Sequence, residues 1–232
     1  MTRHLALFLL AATTPLSAAG LPRSFTVTSF DRIRIEGPYA VTLVVGRSSF
    51  GRATGRSVDL DAIDLRVEGR TLILRQRANQ GARESGEPVR IALGTPDLRS
   101  ASLSGSGSLA IDRLRGLDVE LRLSGPGSLS VADLDADRVA ASVNGSGALR
   151  LAGRAKIATL AARGSASLDA ERLLSDEATI AAEGSSEASV FARSRATVTA
   201  SGPVQVRLAG NPACVLKSSG SASVTGCRAA RR

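Results

Sequence analysis

The sequence predicts an all-β fold, a β-solenoid of about 18–20 residues per coil, from three observations. A short Gly/Ser box recurs seven times, reading SGSGSL, SGPGSL, NGSGAL, RGSASL, EGSSEASV, SGPVQV and SGSASV. The first glycines of the boxes are Gly105, Gly125, Gly145, Gly164, Gly184, Gly202 and Gly220, separated by 20, 20, 19, 20, 18 and 18 residues. A fixed period of that length marks stacked units, each of which uses its neighbours to bury an apolar face. Second, apolar residues alternate with period two, the signature of half-buried strands. Third, glycines interrupt the chain every ten to twenty residues, which leaves little room for helix.

In chain order, residues 1–19 carry Arg3 and His4, then the apolar run Leu5 to Ala12, then Pro15 and small residues ending Ser17-Ala18-Ala19. This is the order of a secretory signal peptide. Its apolar run is too short to span a bilayer, and no later stretch is long and apolar enough. A transmembrane barrel needs aromatic girdles, whereas the chain has five Phe, one Tyr and no Trp. The reading is an exported protein, periplasmic or at the cell surface.

Residues 24–95 form the N-terminal β portion, with strands expected around Phe25/Val27, Ile33/Ile35, Val41/Leu43/Val45, Leu65/Val67, Leu72/Leu74 and Val89/Ile91/Leu93. Glu68-Gly69-Arg70 predicts a hairpin turn, and the polar stretch 77–87 a mobile loop. These N-terminal strands are expected to join the same stack as the repeat.

Residues 96–227 form the repeat solenoid. Inward positions are expected two residues before each box glycine (Leu103, Leu123, Val143, Ala162, Ala182, Ala200) and four after it (Leu109, Leu129, Leu149, Leu168, Ala188, Val206, Val224). A further arm has Val119, Val139 and Ile157 as inward candidates. Alanine at many of these positions predicts a narrow interior, and the box glycines serve tight corners. Cys214 and Cys227, the only cysteines, are expected to form a disulfide that staples the last coil in an oxidising compartment. With the basic tail 228–232, that staple predicts an end closed against association.

The run FDRIRIEGPYAVTLVVG (30–46), then LRVEGRTLIL (65–74), then TPDLRSASLSGSGSL (95–109) followed by the boxes resembles the putative auto-transporter adhesin head GIN domain family. The resemblance spans Phe30 to Cys227. It implies a right-handed parallel β-helix in an exported bacterial protein, and it brings no catalytic residue with it. The GIN tripeptide itself is absent; Asn144-Gly145-Ser146 stands nearest to it.

Little in the chain points to chemistry. Asp133, Asp135 and Asp137 share one side of an extended segment and could hold a hard cation, but aspartate is also a common solvated turn residue. Neither a metal nor a cofactor is expected. The acids Asp112, Asp133, Asp169 and Glu187 are scattered between coils, and the only histidine leaves with the signal segment, so no catalytic set is expected. Without residues 1–19 the chain has 29 basic and 21 acidic residues, a net charge of +8, and 28 of the original 30 cations are arginine. Such a surplus attracts anionic polymers. The expected role is therefore a non-catalytic, adhesin-like interaction module, with an anionic envelope polysaccharide or another envelope protein as partner. Export argues against nucleic acid. The alternative class is a polysaccharide lyase or glycosidase on a β-helix scaffold.

Overall fold

The structure, a computed structural model, describes residues 22–77 and 88–228. The signal segment, nearly all of the 77–87 loop and the tail beyond Arg228 lie outside these residues. The chain is a three-sided β-solenoid. Its strands are β1 (Arg23–Phe25), β2 (Arg32–Glu36), β3 (Ala40–Val45), β4 (Phe50–Thr54), then the short helix α1 (Ser57–Asp61), β5 (Ile63–Glu68), β6 (Thr71–Gln76), β7 (Arg90–Thr95) and β8 (Ser100–Ser104). Four long strands follow, β9 (Ser108–Ser124), β10 (Ser128–Gly145), β11 (Ala148–Gly164) and β12 (Ser167–Gly184). The last are β13 (Glu187–Phe191), β14 (Arg195–Ser201), β15 (Gln205–Ala209), β16 (Ala213–Ser219) and β17 (Ser223–Thr225).

Parallel register fixes the coil length. Ser128 pairs with Ala148, Ala148 with Ser167, Ser167 with Glu187, Glu187 with Gln205 and Gln205 with Ser223, steps of 18–20 residues. One face stacks β6, β2, β8, the ends of β9–β12, β14 and β16. A second stacks β7, β3, the starts of β9–β12, β13, β15 and β17. The middles of β9–β12 form a third arm.

The N-terminal strands do join the stack, but not in sequence order. The coil made by β2 and β3 lies between the coil of β6 and β7 and the coil of β8 and β9. After β1 the chain enters the interior of the stack at β2, leaves it at Gly46, builds an end cap and returns. The cap is antiparallel: β5 pairs with β6, β4 with β7, and β1 with β4. The β5–β6 hairpin falls where Glu68-Gly69-Arg70 predicts it, whereas β4 and α1 carry too short a periodic signal to be read from sequence. Helix α1 contributes Leu60 to the core.

Consecutive coils build apolar ladders. One runs Ile33, Ala101, Leu121, Ala141, Leu160, Ile180, Val198 and Leu216, and every member but Leu216 is buried. Later coils narrow: Ala162, Ala182, Ala188, Ala196 and Ala200 are buried. Val119 and Val139 point inward, but Ile157 does not. The coil ending at Gly164 is one residue shorter, so Val139 pairs with Ala158 and Ile157 falls beside the outward Arg138. A methyl group fills the interior there and Ile157 is 41% exposed.

Candidate interaction surface

The box corners form one column. All seven first glycines have positive φ, and an eighth, Gly37 at φ 122, occupies the same corner in the β2–β3 coil. Its box, Glu36-Gly37-Pro38-Tyr39, escapes the sequence period because Gly37 stands 68 positions before Gly105, with the cap lying between them. The packing is tight: a Cβ on Gly127 would stand 2.5 Å from the carbonyl oxygen of Gly107 one coil away. The corner tips carry only serine and proline, among them Ser106, Pro126 and Ser146. A shallow hollow of about 150 Å³ lies beside them, lined by Tyr39, Pro88, Ser108, Ser128 and neighbouring corner residues. It holds no titratable group that would support acid–base chemistry apart from Tyr39, whose hydroxyl pKa is pushed up by burial and by the charge of Asp64.

The third arm gathers the acids. Parallel stacking brings each coil's charges beside those of the next coil at about 4.8 Å intervals. Arg138 Nη2 donates to Asp118 at 2.8 Å, and Arg154 Nη2 to Asp135 at 2.8 Å. Lys156 pairs with Asp137 at 2.8 Å, Arg193 with Asp176 at 2.7 Å and Arg195 with Glu177 at 3.5 Å. Hydrogen bonds from Arg138 and Arg154 hold the Asp118 and Asp135 carboxyls below the usual range. Two of the three aspartates considered for a cation, Asp135 and Asp137, are therefore matched by cations of the next coil. No group of three or more His, Cys, Asp or Glu among the described residues could hold a metal.

The remaining scattered acids have structural partners. Asp112 Oδ1 accepts from the Val45 and Arg113 amides at 2.9 and 2.7 Å, tying β3 to β9. Asp169 accepts from the Glu171 amide, and Glu187 pairs with Arg207. Asp31, which sequence reasoning did not single out, is buried beside Arg70 at 2.9 Å, with Arg32 and Arg99 within 4.0 Å. Its backbone carbonyl accepts from Arg99 and its amide donates to Arg70. It joins the starts of β2, β6 and β8, and only the register of three distant segments reveals it.

Arginine side chains without an ion pair or hydrogen bond among the described residues are Arg34 on β2, Arg47 after β3, Arg52 on β4, Arg90 on β7, Arg115 on β9, Arg150 on β11, Arg172 on β12 and Arg228. The first four lie toward the capped end, the next three on the central coils and Arg228 at the other end. Beside Arg52 is an open cavity of about 540 Å³ lined by Phe25, Val27, Phe50 and Ala92. At the other end, Cys214 and Cys227 form a disulfide with Cα atoms 5.7 Å apart. No helix among the described residues is long and apolar enough to cross a membrane.

Solved structures of similar fold align with most of the chain. A putative adhesin from Bacteroides fragilis NCTC 9343 superposes with a TM-score of 0.77 at 19% identity, covering 88% of this chain and 95% of its own. A putative lipid binding protein from Parabacteroides distasonis ATCC 8503 gives 0.72 at 18% identity, with the same coverage. A putative adhesin from Parabacteroides merdae ATCC 43184 gives 0.69 at 19%, covering 88% and 94%. At these identities the likeness establishes the fold. A search of curated protein sequences finds no match. The family profile described as "Putative auto-transporter adhesin, head GIN domain" matches residues 29–212. With its boxed corners, interleaved N-terminal coil and parallel stack all inside or beside that span, the chain belongs to the family described as "Putative auto-transporter adhesin, head GIN domain".

Proposed function

We propose that this chain is an exported, non-catalytic head module of the cell envelope that works by display, presenting a rigid basic surface to an anionic envelope polysaccharide or an envelope protein. The observation that carries this reading is the group of cations without partners toward the capped end. On the third arm five pairs of opposite sign run coil to coil, with Arg115 and Arg172 outside them. Arg34, Arg52 and Arg90 project from β2, β4 and β7 near the capped end with no paired carboxylate among the described residues. Guanidinium groups left in this way suit bidentate contacts to carboxylate, sulfate or phosphate groups. Membership of an adhesin family supports the same direction.

Hydrolytic chemistry finds little support. A general acid needs a raised pKa, whereas the arm carboxylates with a shifted value, Asp118 and Asp135, are both held low by arginine. The test is binding of the purified protein to an array of envelope glycans at low and high salt. Expected is binding to an anionic glycan that weakens with salt, because exposed charges are screened over about 10 Å at 0.1 M, and that falls at least tenfold in a triple variant Arg34→Glu, Arg52→Glu, Arg90→Glu. Glycan turnover, or no binding at either salt, overturns the reading.

A further inference from the structure

The two ends of the solenoid differ. At the N-terminal end the outermost strands, β5 and β1, are antiparallel additions, and β5 carries Asp64, Arg66 and Glu68 in ion pairs. Charged, reversed strands of this kind blunt an edge. At the C-terminal end β16 pairs only with β14 and β17 only with β15 among the described residues. The disulfide closes this last coil without covering it. Leu216, the final rung of the ladder that ends Ile180, Val198, Leu216, is 47% exposed, and Val215 is 52% exposed. The staple thus leaves this edge open among the described residues.

We propose that β16 is the dimerisation strand, and that two copies of this chain join tail to tail by antiparallel β16–β16 pairing about a two-fold axis through Leu216. Three features make the strand self-complementary. Leu216 is the central residue of Ala213–Ser219. The Ala213 amide donates to Ser194, and the Ser219 carbonyl accepts from Gly202. Odd-numbered residues therefore spend their backbone groups on the β14 side of the strand. The amides and carbonyls of Cys214, Leu216 and Ser218 point to the open edge, as strand alternation requires.

In an antiparallel pair centred on Leu216, these residues meet their own kind. Leu216 exchanges both hydrogen bonds with Leu216 of the partner subunit, and Cys214 does so with Ser218 of the partner subunit. The single charge on β16 and β17, Lys217, then faces Val215 of the partner subunit, so no like charges oppose and the lysine stem covers an exposed valine. A two-fold contact uses the same patch twice and closes. The blunted N-terminal ends point outward, so the product is a dimer and not a filament. This inference stands independently of the anionic-surface reading, although a dimer would carry two basic ends at opposite poles.

The test is light scattering and small-angle X-ray scattering on the exported, disulfide-bonded protein over a concentration series from about 1 to 100 µM, the range in which contacts of moderate strength dissociate. Expected are a mass approaching twice that of the chain and a maximum dimension close to twice that of one solenoid. Leu216→Lys sets two charges against each other on the axis and weakens dimerisation at least tenfold. Thr179→Lys, on a side face, leaves it unchanged. Far-UV spectra and intact mass establish that both variants are folded and cross-linked. A monomer at every concentration overturns the proposal, as does a dimer indifferent to Leu216→Lys or one whose dimension fits side-by-side packing.

Discussion

At the box corner, backbone crowding decides which residue is allowed. Gly127 is buried against the carbonyl oxygens of Gly107 and Gly105, at 2.5 and 2.7 Å from where a Cβ would stand. A backbone neighbour cannot rotate away, so Gly127→Ala is expected to cost about 1–3 kcal/mol. Ser130→Ala, at an outward position on β10 just after this corner, should stay within about 0.5 kcal/mol; denaturant midpoints of the two variants check both. The ladder carboxylates make a second prediction. Asp118 and Asp135 have folded-state pKa values below the unfolded value of 3.8, so the unfolded chain binds more protons in that window. Their contribution is present above the unfolded value and lost as pH falls through the folded one. Thermal midpoints should therefore be flat from neutral pH down to about pH 5 and decline below about pH 4, with a smaller decline at high salt. Asp31 differs because it is buried. Asp31→Ala leaves three arginines without their shared acceptor and is expected to destabilise by about 1.5–3 kcal/mol, read from the same denaturant curves.

The elements at the two ends depend on different forces. The N-terminal cap adds β1, β4, β5 and the Leu60 side chain of α1 to the core, so its strands are held by packing. The last coil has few buried side chains, since β16 is exposed along almost its whole length, and its closure rests on the disulfide. A cross-link spanning 13 residues limits the unfolded chain by about 3 kcal/mol in the entropic account. Reduction, or Cys214→Ser with Cys227→Ser, should raise amide exchange in β16 and β17 by more than tenfold and leave β9–β12 protected, because local opening need not unfold the rest of a stack.

Across the whole molecule, stability is a chain of coil-to-coil interfaces. The full-width contacts among β9, β10, β11 and β12 lie at its centre, so exchange protection is expected to peak there and to fall toward β16 and β17. Leu121→Ala, in the central ladder and wholly buried, should cost about 2–5 kcal/mol. The interleaved first coil carries a further consequence: β2 and β3 cannot gain both neighbours until β6–β7 and β8–β9 have arrived, pairings 39 and 68 residues apart in sequence. Contacts of such separation slow folding, so refolding is expected to be slower than in a solenoid whose coils stack in chain order.

Much of this architecture is legible in the residues. Coil length, strand alternation, the β5–β6 hairpin and the Cys214–Cys227 pair are readable because each is set by neighbours within one period of the chain. Even the inward place of Ala158 is local, since Val119, Val139 and Ala158 each stand six residues before a first glycine. What the sequence by itself determined is the repeating unit: a glycine corner that excludes Cβ atoms and a period-two arm with one apolar side. Only the tertiary structure decided the order in which units stack, the membership of Gly37 in the corner column, the pairing of Asp135 and Asp137 with Arg154 and Lys156, and the bare edge at Leu216. Those depend on which strand lies about 4.8 Å away across the stack, a neighbour that local periodicity does not name.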